Sequence, residues 1–183
     1  MTTQALQDHI LFQTGYLVNG IWKTLDTTFD VLNPATGEVI AKVAKAGKAQ
    51  TEEAIAAATK AFPAWRAKTA KERSAILYRW YELIIENKSW LGQLMTAEQG
   101  KPLKEAEGEV DYAASFIQWF AEQAKRANGE IIPPAKAGSR IFATREPVGV
   151  VAAITPWNFP MAMLTRKLGP ALALSLIHIS EPT

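Results

Sequence analysis

The sequence Val148-Gly-Val-Val-Ala-Ala-Ile154, followed by the loop Thr155-Pro-Trp-Asn-Phe-Pro160 and a helix-like segment from Met161 to Leu174, decides the fold. Its first part is continuously apolar, which predicts a strand buried on both faces, as in a parallel sheet. Its last part has helical spacing, so strand, loop and helix follow in the order that opens a βαβ unit. We therefore predict an α/β fold with this loop at the carboxyl end of a strand, where ligands collect in open α/β sheets.

Asn158 is the loop residue best suited to chemistry. The loop contains two prolines and two aromatic residues that stiffen it, and an amide side chain can donate to an oxyanion developing on a bound carbonyl. The alternative is that Asn158 is simply the N-cap of the next helix, a common position for asparagine. Arg166 and Lys167 on that helix also have two interpretations, a ligand site or a solvated charged face.

The amino-terminal part predicts a small antiparallel β element. Asn19-Gly20 between apolar residues is a strong hairpin signal, and Phe29 to Asn33 alternates as a strand should. A helical pattern begins at Ala49, and we expect Pro63 to end it because proline removes a backbone donor.

The middle of the chain is predicted to be mostly helical. Thr69-Ala-Lys-Glu72 is typical of a capping box that begins a helix running toward Asn87. A second helix spans about Ser89 to Gln99 and ends at Gly100, and a longer one begins at Leu103. The expected inner face of the first helix is Ile76, Trp80, Leu83 and Ile84. The expected inner face of the last helix is Val110, Ala114, Ile117, Ala121 and Ala124. Beyond these helices, Arg140 to Arg145 predicts a strand.

Composition narrows the class of function. The 183 residues are 48% hydrophobic and carry a net charge of +2, which gives little reason to expect nucleic acid or an acidic membrane as partner. We expect a small-molecule ligand. No apolar stretch approaches the ~20 residues of a spanning helix and no signal peptide is recognisable, so a cytoplasmic location is expected. With no cysteine and two histidines, we predict no disulfide and no metal site.

Together these motifs resemble the aldehyde dehydrogenase superfamily. Its members share the loop Thr155 to Pro160 followed by Lys167-Leu-Gly-Pro-Ala-Leu172. The match continues upstream through Asn33-Pro-Ala-Thr-Gly37, Trp65-Arg66 and Glu98-Gln-Gly-Lys-Pro102. The resemblance implies a Rossmann-type three-layer αβα fold, with residues 1–173 as the amino-terminal part of an incomplete cofactor-binding domain. The strand itself is not followed by G-x-G-x-x-G, so the usual dinucleotide fingerprint gives no support for a cofactor.

Within the superfamily the chain is most similar to an amino-terminal fragment of succinate-semialdehyde dehydrogenase, through Glu98 to Pro102, Tyr112 to Glu122 and Leu164 to Lys167. This resemblance implies that Arg166 pairs with the distal carboxylate of the substrate. A dehydrogenase for another carboxylated semialdehyde, such as glutarate semialdehyde, is an alternative.

The resemblance also implies roles for the loop. Asn158 would donate to the oxyanion. Together with the backbone of Thr155, Pro156 and Trp157, it would line the nicotinamide side of NAD or NADP. Lys167 occupies a position that is sometimes assigned to a proton relay.

The reaction implied by the family begins when a cysteine thiolate attacks the aldehyde; hydride transfer to NAD(P)⁺ and hydrolysis of a thioester follow. Because this chain has no cysteine, we expect the 183-residue polypeptide itself to be inactive, while its parent protein is the enzyme. The family also implies a homo-oligomer, since residues 139–147 resemble a strand of its oligomerisation arm.

The resemblance stops after Ala173. Residues 174–183 have no counterpart in the family, and we interpret them as an artefactual tail, such as translated foreign DNA or a frame error. A different hypothesis is that the chain is a non-catalytic nucleotide-binding or partner-binding remnant of the same fold.

Overall fold

Two small antiparallel hairpins form the amino-terminal part of the chain, which a computed structural model describes over residues 3–175 and 177–182. Its elements are α1 (Thr3–Gln7), β1 (Tyr16–Val18), β2 (Ile21–Lys23), β3 (Thr28–Leu32) and β4 (Val39–Ala44). Asn19 and Gly20 have φ angles of 54° and 75°, as a two-residue turn between paired strands requires. The predicted hairpin is therefore confirmed, and β3 confirms the predicted strand.

A helical core follows. Its elements are α2 (Lys48–Arg66), α3 (Ala70–Glu86), α4 (Lys88–Gln99), α5 (Leu103–Gln123) and a 3₁₀ turn at Ala124–Arg126. Helix α5 packs against both α3 and α4. All five residues of the predicted inner face are at most 1% exposed, of which Val110, Ala114, Ile117 and Ala121 lie on α5 and Ala124 begins the 3₁₀ turn. Within the described residues, no helix is both long enough and apolar enough to cross a membrane.

A hairpin and a βαβ unit complete the chain. Their elements are β5 (Glu130–Ile132), β6 (Ile141–Ala143), β7 (Val150–Thr155), α6 (Ala162–Ala173) and β8 (Ile177–Pro182). Strands β5 and β6 pair antiparallel, whereas β7 and β8 pair parallel through the α6 crossover. The predicted βαβ unit and α/β fold are confirmed. Helix α6 packs on α5, which joins the βαβ unit to the helical core.

Strand β7 is not buried on both faces, so that expectation is wrong. Ala153 and Thr155 are buried, but Ile154 between them is 65% exposed. Helices α2 and α6 pack against the β7–β8 pair, but the side chain of Ile154 stays mostly exposed. An apolar strand sequence alone cannot tell which of its faces receives a neighbour.

Residues 177–182 form β8, although no sheet strand was expected after Ala173. The backbone pairs with β7 in a regular register from Val150 opposite Ile177 to Thr155 opposite Pro182. This pairing concerns the backbone alone, and the origin of residues 174–183 stays a prediction.

Pro63 does not end α2, which continues to Arg66. Proline removes one intrahelical bond, but contacts from outside the helix hold its last turn. The Trp65 indole N–H donates to the Leu172 carbonyl at 3.2 Å, and the Arg66 guanidinium pairs with Glu146 at 2.7 Å. These partners are far away in the sequence, so the local pattern did not reveal them.

The inner face of α3 was predicted correctly only in part. Ile84 is buried and Trp80 packs on the core, but Ile76 and Leu83 are 44% and 41% exposed. Leu77 is fully buried instead. Helix α3 is apolar on more than one side, and the stripe that meets α5 runs through residues 77, 80 and 84.

The predicted capping box begins α3. The Thr69 hydroxyl accepts from the Glu72 N–H at 3.3 Å, while the Glu72 carboxylate accepts from the Thr69 N–H at 2.7 Å. The bond from the Thr69 backbone is the main cause that lowers the pKa of Glu72. The Glu72 carboxylate therefore stabilises the folded state fully above the ordinary pKa of glutamate. This contribution is lost as the pH falls through the lowered pKa of Glu72 in the folded state.

We expect Thr69→Ala to lower the helicity of a peptide spanning residues 68–87. Loss of the hydroxyl cap should cost about 0.5–1 kcal/mol, at the lower end of measured N-cap effects because the host is a peptide. Circular dichroism at 222 nm near 0 °C measures the loss, and Thr69→Ser, which keeps a hydroxyl, is the matched control. Equal helicity of the alanine and serine peptides would contradict the capping role.

Candidate active site

The loop after β7 presents its middle residues to solvent. Thr155, the last residue of β7, is 5% exposed and anchors the start of the loop, whereas Trp157 is 73% exposed. Pro156 and Asn158 are also exposed. The predicted loop residues are therefore together at the carboxyl end of β7, with a buried base and an accessible tip.

Asn158 is not the N-cap of α6. The helix begins at Ala162 and its N-cap position is Met161. The Glu109 carboxylate, from the neighbouring helix α5, accepts instead from the N–H groups of Met161 and Ala162, at 3.0 and 3.2 Å. Among the described residues the Asn158 side chain has no hydrogen-bond partner, so its amide remains available to a ligand.

Two side chains from the connection between α4 and α5 hold the loop backbone. Gln99 Nε2 donates to the Trp157 carbonyl at 2.5 Å. Lys101 Nζ donates to the Asn158 carbonyl at 3.2 Å, lies 4.4 Å from the centroid of the Phe159 ring and forms an ion pair with Glu109. The loop is thus fixed through its main chain.

Sequence reasoning missed Gln99, Lys101 and Glu109 as parts of the site. Gln99 and Lys101 belong to the motif Glu98 to Pro102, which marks the family but gives neither residue a role. Glu109 had a readable signal, because it is a carboxylate within the apolar face of α5, where an unpaired charge is very costly. Such a residue has a partner by necessity, although the sequence does not say which.

Arg166 and Lys167 lie on the exposed side of α6. The guanidinium carbon of Arg166 is 5.8 Å from the centroid of the Phe116 ring on α5, within the range of a cation–π contact. Lys167 is one residue further and points about 100° away around the helix. The two cations therefore do not share one ligand position.

An apolar cleft lies on the α4 side of the loop. It has a volume of about 280 Å³ and is lined by Leu91, Leu94, Met95, Glu98, Gln99, Pro160, Met161 and Leu164. Although the Glu98 side chain is exposed at the rim, the surrounding protein desolvates its carboxyl and raises its pKa. Within the part of the chain that the structure describes, no cluster of three His, Asp or Glu side chains could hold a metal ion.

The residues present fit one end of a dinucleotide. Glu109 already occupies the N–H groups at the start of α6, so this helix does not offer the usual pyrophosphate site of a Rossmann unit. Ile154 and Trp157, by contrast, are exposed apolar side chains near the end of β7, which suits contact with a nicotinamide ring. The sequence after β7 also lacks the G-x-G-x-x-G motif that binds a pyrophosphate, which agrees with Glu109 occupying the start of α6.

The parallel βαβ unit, with an anchored and accessible loop at its strand end, defines an α/β protein whose loop lies where ligands collect in open sheets. The chain belongs to the aldehyde dehydrogenase family, whose sequence profile matches residues 22–182.

Individual relatives agree with the family. The chain is 58% identical over 179 residues to the glutarate-semialdehyde dehydrogenase of Pseudomonas putida, covering 97% of this chain and 37% of the relative. It is 51% identical over 179 residues to the NADP⁺-dependent succinate-semialdehyde dehydrogenase of Escherichia coli, with the same coverage. The crystal structure of an aldehyde dehydrogenase from Brucella melitensis superimposes with a TM-score of 0.95 at 54% identity, covering 98% of this chain and 38% of that one. The chain thus spans little more than a third of the length of these relatives.

Proposed function

We propose that this chain supplies the oxyanion donor, the nicotinamide-side loop and the substrate-binding arginine of an NAD(P)-dependent aldehyde dehydrogenase. Its substrate would be a small aldehyde with a distal carboxylate, with succinate semialdehyde as the leading candidate. One observation carries the proposal: the Asn158 amide is left free because Glu109 caps α6 in its place.

Asn158 would act on the aldehyde oxygen. When a cysteine thiolate adds to the aldehyde carbon, negative charge moves onto that oxygen, and the side-chain N–H of Asn158 donates to it. The anchored loop backbone supports this role, because a donor carried on a fixed backbone needs less reorganisation when the charge develops. The cysteine itself is not in this chain.

The loop would also hold the cofactor against the reacting carbon. NAD or NADP, when bound, supplies the hydride acceptor. Thr155, Pro156, Trp157 and Asn158 would orient its nicotinamide end. The exposed apolar side chains of Ile154 and Trp157 support this contact, since burying apolar surface against the ring is favourable.

Arg166 would determine the substrate class. A guanidinium can bind a carboxylate through two parallel hydrogen bonds, and the contact of Arg166 with Phe116 restricts where the guanidinium lies. Lys167, one residue further along α6, would serve as the proton relay, and its exposed position supports contact with solvent.

Glutarate semialdehyde is the second candidate substrate. It carries the same two functional groups one methylene further apart, and the 58% identity to the Pseudomonas putida enzyme favours it. A single methylene changes binding in an apolar pocket by only ~1–3 kcal/mol, so one arginine could serve both substrates.

The β5–β6 hairpin would contact a second copy of the parent protein. Ile131 and Phe142 are 78% and 64% exposed on this short, two-stranded ribbon. Exposed apolar side chains on this ribbon support an oligomerisation role for residues 139–147.

These proposals are tested in a chimeric enzyme, made by replacing the matching segment of the Escherichia coli succinate-semialdehyde dehydrogenase with residues 1–173 of this chain. The unsubstituted chimeric enzyme is expected to oxidise succinate semialdehyde. A folded chimeric enzyme without turnover would contradict the proposed function.

In the chimeric enzyme we expect Asn158→Ala to lower kcat by about 10²- to 10³-fold, the usual effect of losing one oxyanion donor. Steady-state kinetics with succinate semialdehyde measures the change. Asn128→Ala is the matched control, since Asn128 is exposed and its described hydrogen bonds use only its backbone. An Asn158→Ala variant with unchanged kcat would exclude the oxyanion role.

We expect Arg166→Met to lower kcat/KM for succinate semialdehyde by about 10- to 100-fold, because a hydrogen bond to a charged group contributes ~1.5–3 kcal/mol. The value for butanal, which has no carboxylate, should change little. Arg79→Met, on the exposed side of α3, is the control for loss of an arginine. Equal losses of kcat/KM on succinate semialdehyde and butanal would refute the substrate assignment. The same assay with glutarate semialdehyde ranks the two candidate substrates.

A further inference from the structure

Lys101, which contacts the loop backbone, and Glu109, which caps α6, also form an ion pair with each other. The Glu109 side chain is 1% exposed and the Lys101 side chain 14%. Their other hydrogen bonds go to backbone groups, from Lys101 to the Asn158 carbonyl and from the N–H groups of Met161 and Ala162 to Glu109. The pair therefore contacts the chain on both sides of Phe159-Pro160.

Stability alone is a poor explanation for this pair. The cost of taking two charges out of water offsets much of their attraction, and apolar side chains of similar volume commonly stabilise a core equally well. Around Glu109 on α5, Ala106, Val110 and Ala113 are all fully buried and would accommodate an apolar neighbour. A charged pair in such surroundings is better explained by the geometry that it fixes.

The geometry fixed by the pair is that of the loop backbone which carries the Asn158 side chain. Lys101 contacts the Asn158 carbonyl and the Phe159 ring, while Gln99 holds the Trp157 carbonyl. The main chain at Asn158 is thereby restrained, whereas its amide side chain is exposed. A restrained backbone with a free donor is what a preorganised oxyanion site requires.

We propose that the Lys101–Glu109 pair is a positioning device that sets the direction of the Asn158 amide. Lys101 fixes the carbonyl of Asn158, and Glu109 fixes the start of α6 and neutralises Lys101. This inference rests on the proposed function, since it assigns the pair an effect on the reaction through Asn158.

The test uses Lys101→Met in the chimeric enzyme. We expect kcat to fall by about 10- to 100-fold, because small displacements of a catalytic group have effects of that size. KM for the aldehyde should change by less than about threefold, since an oxyanion donor acts mainly in the transition state. Lys101→Arg keeps the charge and is expected to retain most of the activity.

Lys88→Met is the matched control. Lys88 pairs with Asp111 at 2.6 Å, so this variant also removes a lysine that joins the start of α4 to α5, but it does not contact the loop. Hydrogen exchange of residues 155–162 should become faster in Lys101→Met and stay unchanged in Lys88→Met. Equal exchange in both variants would overturn the proposal.

A double-mutant cycle separates positioning from general destabilisation. If Lys101 acts through Asn158, then Lys101→Met combined with Asn158→Ala should have a kcat within about threefold of Asn158→Ala alone. If the fold-losses of kcat of the two single variants multiply in the double variant, the positioning role of Lys101 is overturned while the Asn158 role stays intact. An Asn158→Ala variant with unchanged kcat would overturn the proposed function and this inference together.

Lys101→Met leaves Glu109 without its counter-charge and could therefore prevent folding. For that case Lys101→Met with Glu109→Gln removes both charges, while the glutamine carbonyl can still accept from the start of α6. We expect this double variant to show the same loss of kcat as Lys101→Met. In combination with Asn158→Ala it should cause no further loss. Full kcat in this folded variant would overturn the proposal.

Discussion

The rest of the site depends on the hydrogen bonds that the N–H groups at the start of α6 donate to the Glu109 carboxylate. The start of a helix has unpaired donors that need a partner. If the preceding loop supplied that partner, Asn158 would be the natural choice, and its Oδ1 would be tied to the start of α6. Because α5 supplies it, the cap also fixes α6 against α5.

The close contact between these helices depends on small residues. A Cβ atom at Gly169 would lie 3.0 Å from Phe120 and 3.4 Å from the Phe116 carbonyl, so α6 approaches α5 where only glycine fits without adjustment. This approach brings Arg166 next to the Phe116 ring and Met161 next to Glu109. Packing in the core thus sets the positions of the charged groups at the surface.

Local signals in the sequence predicted the local features of this fold. Asn19-Gly20 and Thr69 act within a few residues, and the structure confirms the turn and the cap that they predict. The helix end at Pro63 was wrong because Trp65 is held by a residue far along the chain. The same reason explains the site, where the loop with Asn158 was predicted but its anchors were not. Whether a carboxylate caps a neighbouring helix depends on how the two helices pack, which no local pattern encodes.

The loop anchors also set an order of assembly. Lys101 and Asn158 are 57 residues apart in the chain, and the bonds from Trp65 and Arg73 to the end of α6 span 107 and 100 residues. Contacts of such separation form only after the intervening chain has been brought together, at the cost of loop-closure entropy. We therefore expect the helices to form early from local signals and the loop to reach its final conformation only when α6 docks. A chain that has collapsed without docking α6 would hold the residues of the site without its geometry.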